Sequence, residues 1–255
     1  MKFSKVRIAV FLLFGFFLFV GFKSQSTQAL NLIEIPAHSK QELLICHTGY
    51  CLSYDERFKL AKWVAYELTL EETQGTIGRS DKFKQDPLII RNSATLEDYK
   101  KSGFDRGHLA PAADMKWSLQ AMQESFYLSN MCPQDKSFNR GIWKKLEELV
   151  REWAIVNKSI YITTGPILEE GLQTIGPNKI PIPKTFYKVI LDYTQPEIKA
   201  IGFLIPNQGS SFPISTYAIP IDSVEKITHL DFFEKLPDNI ENRIEQSVCV
   251  SCWGL

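Results

Sequence analysis

Apolar positions along the chain fall into blocks, and their period changes near the middle. Within residues 54–70, Phe58, Ala61, Val64, Ala65 and Leu68 recur at helical spacing, which predicts a helix with one stripe packed on a core. Residues 73–86 are polar and read as a connection. Residues 88–91 predict a short strand, and 118–125 a helix beginning after Trp117. Residues 126–130 read as a strand, and 132–137 as a polar turn. Ile142, Trp143, Leu146, Leu149, Val150 and Trp153 then mark an amphipathic helix, with Lys144, Lys145, Glu147, Glu148 and Arg151 on its polar face. Asn139 stands at the start of that helix, where Asn ordinarily caps.

Beyond this helix the pattern turns to strands. Residues 159–164 are β-rich and stop at Gly165-Pro166. Residues 185–193 and 198–205 predict two more strands, and 218–221 a short extended piece. Short helices are expected over 223–227 and 231–235, and a longer one over 238–247. Strands and helices do not strictly alternate, which argues against a doubly wound parallel sheet. The expected class is α+β: a central, mostly antiparallel sheet flanked by helices. Residues 30–255 are expected to form a single domain.

The first 29 residues change the charge balance. Lys2, Lys5 and Arg7 precede an uninterrupted apolar run over 8–22, and Thr27-Gln28-Ala29 resembles a small-x-small cleavage site. This reads as an export signal, and the alternative is an uncleaved membrane anchor. Over all 255 residues, 29 basic side chains balance 29 acidic ones. Residues 1–29 hold four of the bases and no acid, so the remainder carries 25 against 29, a net of −4. That is the wrong sign for binding nucleic acid with the whole surface. A local basic groove is expected instead, from Lys82, Lys84, Arg91, Lys100, Lys101, Lys116, Lys136, Lys144 and Lys145 around the motifs described next. Lys188 and Lys199 are expected to lie outside it.

Cys46, Cys51, Cys249 and Cys252 can pair after export, as two local loops or as staples between the two ends. A zinc site is the competing reading, and His47 could join a metal only with those cysteines. Cys132 is left over as a buried thiol. His38 and His229 read as surface or helix-cap residues.

Candidate chemistry centres on Asp105-Arg106-Gly107-His108. A neutral imidazole, with an unperturbed pKa of about 6.5, can take a proton from water. An arginine two residues away suits an anionic substrate, because its planar fork matches phosphate oxygens. Gly107 allows close backbone approach. A short strand presenting both side chains to a cleft is expected.

Three boxes in order carry a family resemblance. They are Phe104-Asp105-Arg106-Gly107-His108-Leu109-Ala110-Pro111, then Tyr127-Leu128-Ser129-Asn130-Met131-Cys132-Pro133-Gln134, then Asn139-Arg140-Gly141-Ile142-Trp143 followed by Leu146-Glu147. Together they resemble the DNA/RNA non-specific endonucleases, the ββα-metal enzymes of Serratia nuclease and endonuclease G type. The resemblance implies that His108 is the general base, Asn139 the direct Mg²⁺ ligand, and Glu147 the holder of a metal-bound water. It implies that Arg106 contacts phosphate or orients the site, and that Asn130 supports it. Arg79, in Arg79-x-x-x-Phe83-x-x-Asp86-Pro87, would be the second phosphate-binding arginine. Cys132 stands where a small residue is frequent in the family, and Arg140 where Gln is common.

The implied activity is an exported, Mg²⁺-dependent endonuclease that hydrolyses DNA and RNA without sequence preference and leaves 5′-phosphates, with Mn²⁺ as a possible substitute metal. The resemblance implies that Mg²⁺ held by Asn139 stabilises the leaving 3′ oxygen. Mg²⁺ prefers octahedral oxygen ligation and keeps several waters, so one neutral amide ligand leaves its charge almost unquenched. The alternatives are a non-catalytic nucleic-acid-binding relative and a phosphodiesterase of small substrates. An inhibitor protein is a conceivable partner, and a membrane is one only if the N-terminal segment stays uncleaved.

Overall fold

A computed structural model describes residues 32–255, so the expected export signal lies outside the described residues. The chain forms β1 (Leu43–Cys46), β2 (Cys51–Asp55), β3 (Leu60–Thr69), the short helices α1 (Leu70–Thr73) and α2 (Leu96–Tyr99), and β4 (Asp105–His108). After α3 (Leu119–Glu124) come β5 (Met131–Gln134), a wide π-type turn over Phe138–Trp143, and α4 (Lys144–Asn157). Then follow β6 (Ser159–Pro166), β7 (Thr174–Ile175), β8 (Ile180–Pro181), β9 (Thr185–Asp192), β10 (Lys199–Pro206), β11 (Ala218–Ile219), α5 (Ile221–Thr228) and α6 (Asp238–Glu245). Seven strands pair antiparallel in the order β1-β2-β3-β6-β9-β10-β11. The α+β expectation therefore holds.

The central strands are buried on both faces, and successive side chains point opposite ways. On one face Val64, Ile162, Ile190 and Phe203 pack under α4 through Leu146, Val150 and Trp153. On the other, Trp63, Ala65, Val189 and Leu191 pack with Val224 of α5, Ile244 of α6 and the pair Phe232–Phe233. Double burial also explains the largest misreading of the chain. The helix expected over 54–70 is the hairpin β2–β3. A strand apolar on both faces carries no alternation, so its residues also satisfy helical spacing. The turn is set by Asp55, whose Oδ1 accepts the N–H of Arg57 (2.8 Å) and Phe58 (3.1 Å).

Other local corrections are smaller. Residues 88–91 form a turn, because Asp86 Oδ1 accepts the Leu88 N–H at 2.9 Å and Ile90 stands out in solvent. The strand expected over 126–130 begins only at Met131, after a 3₁₀ turn at Leu128–Asn130. The polar turn expected over 132–137 correspondingly starts later. Residues 231–235 are not helical, since Phe233 takes a left-handed φ of 58° to bury its ring beside Phe232. The strands over 159–164, 185–193, 198–205 and 218–221 and the helices near 118–125, 223–227 and 238–247 are present with shifted ends. His229 caps α5 in the left-handed conformation, in line with its expected role.

Cysteine pairing is local: Cys46–Cys51 closes the β1–β2 hairpin and Cys249–Cys252 a C-terminal turn. This displaces the end-to-end staple and zinc readings. Cys132 is a fully buried free thiol, its pKa raised by burial. Thiol titration of the purified chain should find no reactive thiol while it is folded and one after denaturation. Four or five reactive thiols in the unfolded chain would contradict the pairing.

Candidate active site

The expected short strand at the Asp-Arg-Gly-His box exists. Its partner is β5, in antiparallel register Asp105↔Gln134, Arg106↔Pro133, Gly107↔Cys132 and His108↔Met131. This ribbon followed by α4 is a ββα element. Gly107 is needed for close approach: a Cβ there would lie 2.0 Å from Gln134 Oε1. Gln134 itself is fully buried, and neither of its side-chain polar atoms has a hydrogen-bond partner.

His108 lies between two aromatic rings. Its ring meets Phe126 edge-on at 4.9 Å and tilts against Phe83 at 5.8 Å, and the two phenyl rings contact each other at 4.9 Å. Two guanidiniums cover the same pair: Arg79 over Phe126 at 4.9 Å and Arg106 over Phe83 at 4.1 Å. The aromatic pair thus gathers His108, Arg79 and Arg106, which lie on two segments of the chain. Arg79 reaches back to Asp81 (2.7 Å) and stays exposed, as does Arg106. His108 is only 8% exposed. Burial, with the charges of Arg79 and Arg106, pushes its pKa down to about 3. The imidazole is therefore neutral at physiological pH, but by a wider margin than an unperturbed histidine. Its Nε2 is sealed from solvent and has no hydrogen-bond partner among the described residues.

Asn130 does not face this opening. Its Oδ1 accepts the Ala110 N–H (2.9 Å), and its Nδ2 donates to the carbonyls of Ala110 and Ser125 (both 2.9 Å). With every bond spent on backbone, it fixes the chain just after His108. Asp86 braces the same region from the Arg79 segment, accepting His47 Nε2 (2.8 Å) and Ser129 Oγ (2.6 Å). Burial raises its pKa, but these bonds outweigh burial and keep the carboxyl below its usual range. His47 thus has a structural partner.

Asn139 was expected to cap the helix, but Asp135 does so: its Oδ1 accepts the N–H of Ser137 (2.8 Å) and Phe138 (3.3 Å). The Asn139 side chain turns instead to Asp105, donating from Nδ2 to Oδ2 at 2.9 Å. That bond fixes the amide orientation and leaves Oδ1 without a donor among the described residues. Arg140 clamps the same carboxylate through Nε and Nη2, both at 2.8 Å. Burial alone would raise the Asp105 pKa; Arg140 and Asn139 hold it low. The departure at position 140 thus supplies the counter-ion for Asp105.

Glu147, on α4, is half-buried. Burial raises its pKa and the neighbouring Lys188 opposes that. Lys188 is completely buried, its ammonium 4.8 Å from the Trp143 ring centre and without a hydrogen-bond partner. Lys188, expected outside the basic groove, is not a surface lysine: its parity on β9 matches Phe186 and Ile190 and points it under α4. A lysine inside the apolar run Phe186–Leu191 was the available signal. Asp114 completes the layer, accepting from Tyr66 (2.8 Å) and Arg151 (2.8 Å). The aromatic pair was the other omission; Phe83 and Phe126 look like ordinary core in a sequence. The nine basic residues expected around the motifs are all exposed, and a cleft of about 410 Å³ beside Arg106 is lined by Lys100, Lys101 and Phe104.

A ββα ribbon on a large antiparallel sheet, with a buried histidine between two arginines, defines a class of phosphodiester-cleaving enzymes. A family model described as DNA/RNA non-specific endonuclease matches residues 27–239. The chain is 37% identical over 220 residues to a nuclease of Syncephalastrum racemosum, covering 76% of this chain and 68% of that protein. It is 36% identical to mitochondrial endonuclease G of Bos taurus, covering 72% of this chain and 67% of that one. The crystal structure of an EndoG/EndoGI complex contains a chain that matches with a TM-score of 0.75 at 33% identity, over 82% of this chain and 92% of that one. The chain belongs to the DNA/RNA non-specific endonuclease family and is an enzyme of the nuclease class.

Two measurements test the site's construction. Asn130→Ala should destabilise the fold by about 2–4 kcal/mol in urea unfolding, because it strands three buried backbone groups. His108, with its folded pKa below the unfolded value of about 6.5, costs stability as pH falls from about 6.5 toward 3, because only the unfolded chain takes up the proton. Stability of His108→Gln should therefore fall less steeply over that window; an equal slope would place the imidazole in solvent.

Proposed function

We propose that the protein is an exported, Mg²⁺-dependent endonuclease that cleaves DNA and RNA without sequence preference. The observation that carries this reading is a neutral, almost unbonded imidazole held between two guanidiniums that remain open to solvent. Arg79 and Arg106 bind the scissile phosphate and orient it over the ribbon. His108 accepts the proton of the attacking water at Nδ1, because Nε2 is sealed from solvent and keeps its own proton. Attack opposite the 3′ oxygen releases that oxygen and leaves the phosphate on the 5′ side.

The residues fit a hard divalent cation. Asn139 offers an oriented amide oxygen with no donor among the described residues, and Glu147 stands on the helix that follows it. Asn139 would hold Mg²⁺ or Mn²⁺ directly, and Glu147 would hold it through water. When bound, such an ion neutralises charge on the phosphate and the leaving oxygen as a Lewis acid. Asp105 keeps Asn139 in position, and Arg140 keeps Asp105 ionised.

Binding would use the exposed lysines beside the ribbon and at the start of α4, since the balance beyond residue 29 is acidic. The absence of any base-reading motif supports an enzyme that grips backbone rather than sequence. Two disulfides support export to an oxidising compartment. The solved EndoG complex describes EndoG inhibition, which makes a protein inhibitor of this chain a partner to seek.

Plasmid DNA and total RNA should both be degraded by the purified chain with Mg²⁺, and EDTA should stop both reactions. His108→Ala should lose at least about 10²–10⁴-fold in turnover while retaining substrate binding. Asn139→Ala should instead raise the metal concentration needed for half-maximal rate. A His108→Ala enzyme with wild-type turnover would overturn the assignment.

Cleavage should also slow as salt rises, because phosphate contacts are screened. Reversing Lys144 and Lys145 to Glu should weaken substrate binding more than reversing the exposed Lys40 and Lys226. Equal losses in the two double variants would remove the case for a groove at α4.

A further inference from the structure

On the sheet face opposite α4, the two short helices α5 and α6 bring acidic side chains together. Asp222 and Glu225, three residues apart on α5, share one side of the helix. Glu245, the last residue of α6, meets them there, and one carboxylate oxygen from each of the three lies within 4.8 Å of the others. Glu225 spends Oε1 on the Phe232 N–H at 2.8 Å.

Glu245 is the telling member. It is 5% exposed, and its Oε1 is sealed from solvent without a hydrogen-bond partner. A buried, unpartnered carboxylate is costly. The charges acting most strongly on it, after burial itself, are Glu225, Glu241, Asp222 and Asp231, all acidic; together they raise its pKa to about 9. Asp238 and Glu234 add to the field at Glu241. Lys226, Lys235 and Arg243 occur on the same segments, yet none forms an ion pair with these groups among the described residues, and Lys235 donates instead to the Leu32 carbonyl (2.9 Å). Among the described residues, the cluster therefore lacks a counter-charge.

We propose that Asp222, Glu225 and Glu245 bind a calcium-type divalent cation that pins α6 to α5. The donors are all hard oxygens, which suits Ca²⁺ or Mg²⁺ and not a thiophilic metal. Ca²⁺ accepts six to eight oxygens, mono- or bidentate, at about 2.3–2.6 Å in flexible geometry, so one ion reaches three oxygens spread over 4.8 Å. Mg²⁺ needs tighter, near-octahedral ligation. The ion would expel the proton from Glu245 and replace it as the neutralising charge. Its role would be structural, because the helices it joins cover Phe232, Phe233 and Ile244 and lie across the sheet from His108.

The test separates this site from the catalytic one by working in the Asn139→Ala chain. After stripping with EDTA and removing the chelator, thermal unfolding is followed at neutral pH with and without CaCl₂. For an extracellular-type affinity, about 10 mM Ca²⁺ should raise the midpoint by about 3–10 °C. Adding Glu245→Gln should abolish the rise, and so should the half-exposed Asp222→Asn, which guards against a Gln variant that does not fold. The Glu245→Gln single variant should keep its nuclease rate in Mg²⁺. No rise in the Asn139→Ala chain, or the same rise with Glu245→Gln present, would overturn the proposal and leave Glu245 as a buried neutral acid.

Discussion

The rest of the site depends on keeping a neutral imidazole beside two guanidiniums where water has little access. Two positive charges and burial both resist protonation of His108, so the ring stays neutral over a wide pH range. Keeping two guanidiniums beside the ring needs more than the Asp81 carboxylate that Arg79 contacts. Phe83 and Phe126 serve that need. Aromatic faces attract guanidinium without neutralising it.

Backbone rigidity follows from the same requirement. A buried ring with no hydrogen bond cannot orient itself, so the chain around it is over-determined. Asn130 closes a two-bond ring with Ala110 and reaches Ser125, and Asp86 ties together the segments of His47 and Ser129. On the other side Asn207 accepts the Asp135 N–H and donates to the carbonyls of Pro133 and Pro183, anchoring the end of β5 to the large sheet. The ribbon is only four residues long per strand, and these side chains supply the order that its ladder cannot.

Beneath α4 the fold places charge where apolar packing would suffice for stability alone. Asp114, Glu147, Arg151 and Lys188 are two acids and two bases within one layer, and Lys188 rests on the Trp143 face. Replacing such a layer with hydrocarbon is often neutral or stabilising in other proteins. Here the layer surrounds Glu147, whose pKa is raised by burial, a rise that Lys188 opposes. The acidic cluster at Glu245 is the opposite case, a layer of one sign that the chain leaves unbalanced.

The sequence by itself determined the family, the nuclease class and the class of fold. The three boxes single out His108, Arg106, Asn139 and Glu147 because they combine polar residue types at a spacing that packing alone does not ask for. Strands 159–164, 185–193 and 198–205 were legible because apolar β-branched runs between turn signals have few other solutions. Tertiary structure alone decided what depends on neighbours remote in sequence. Strand β3 became a strand through pairing with β2 and β6, overriding a period that also fits a helix. Asn139 left its capping role because Asp135 filled it and Asp105 lay opposite. Asn130 became a backbone clamp, and Lys188 a buried cation, because register decides which face a side chain meets. Those outcomes turn on which groups lose water together, and that is a property of the folded chain rather than of any stretch of it.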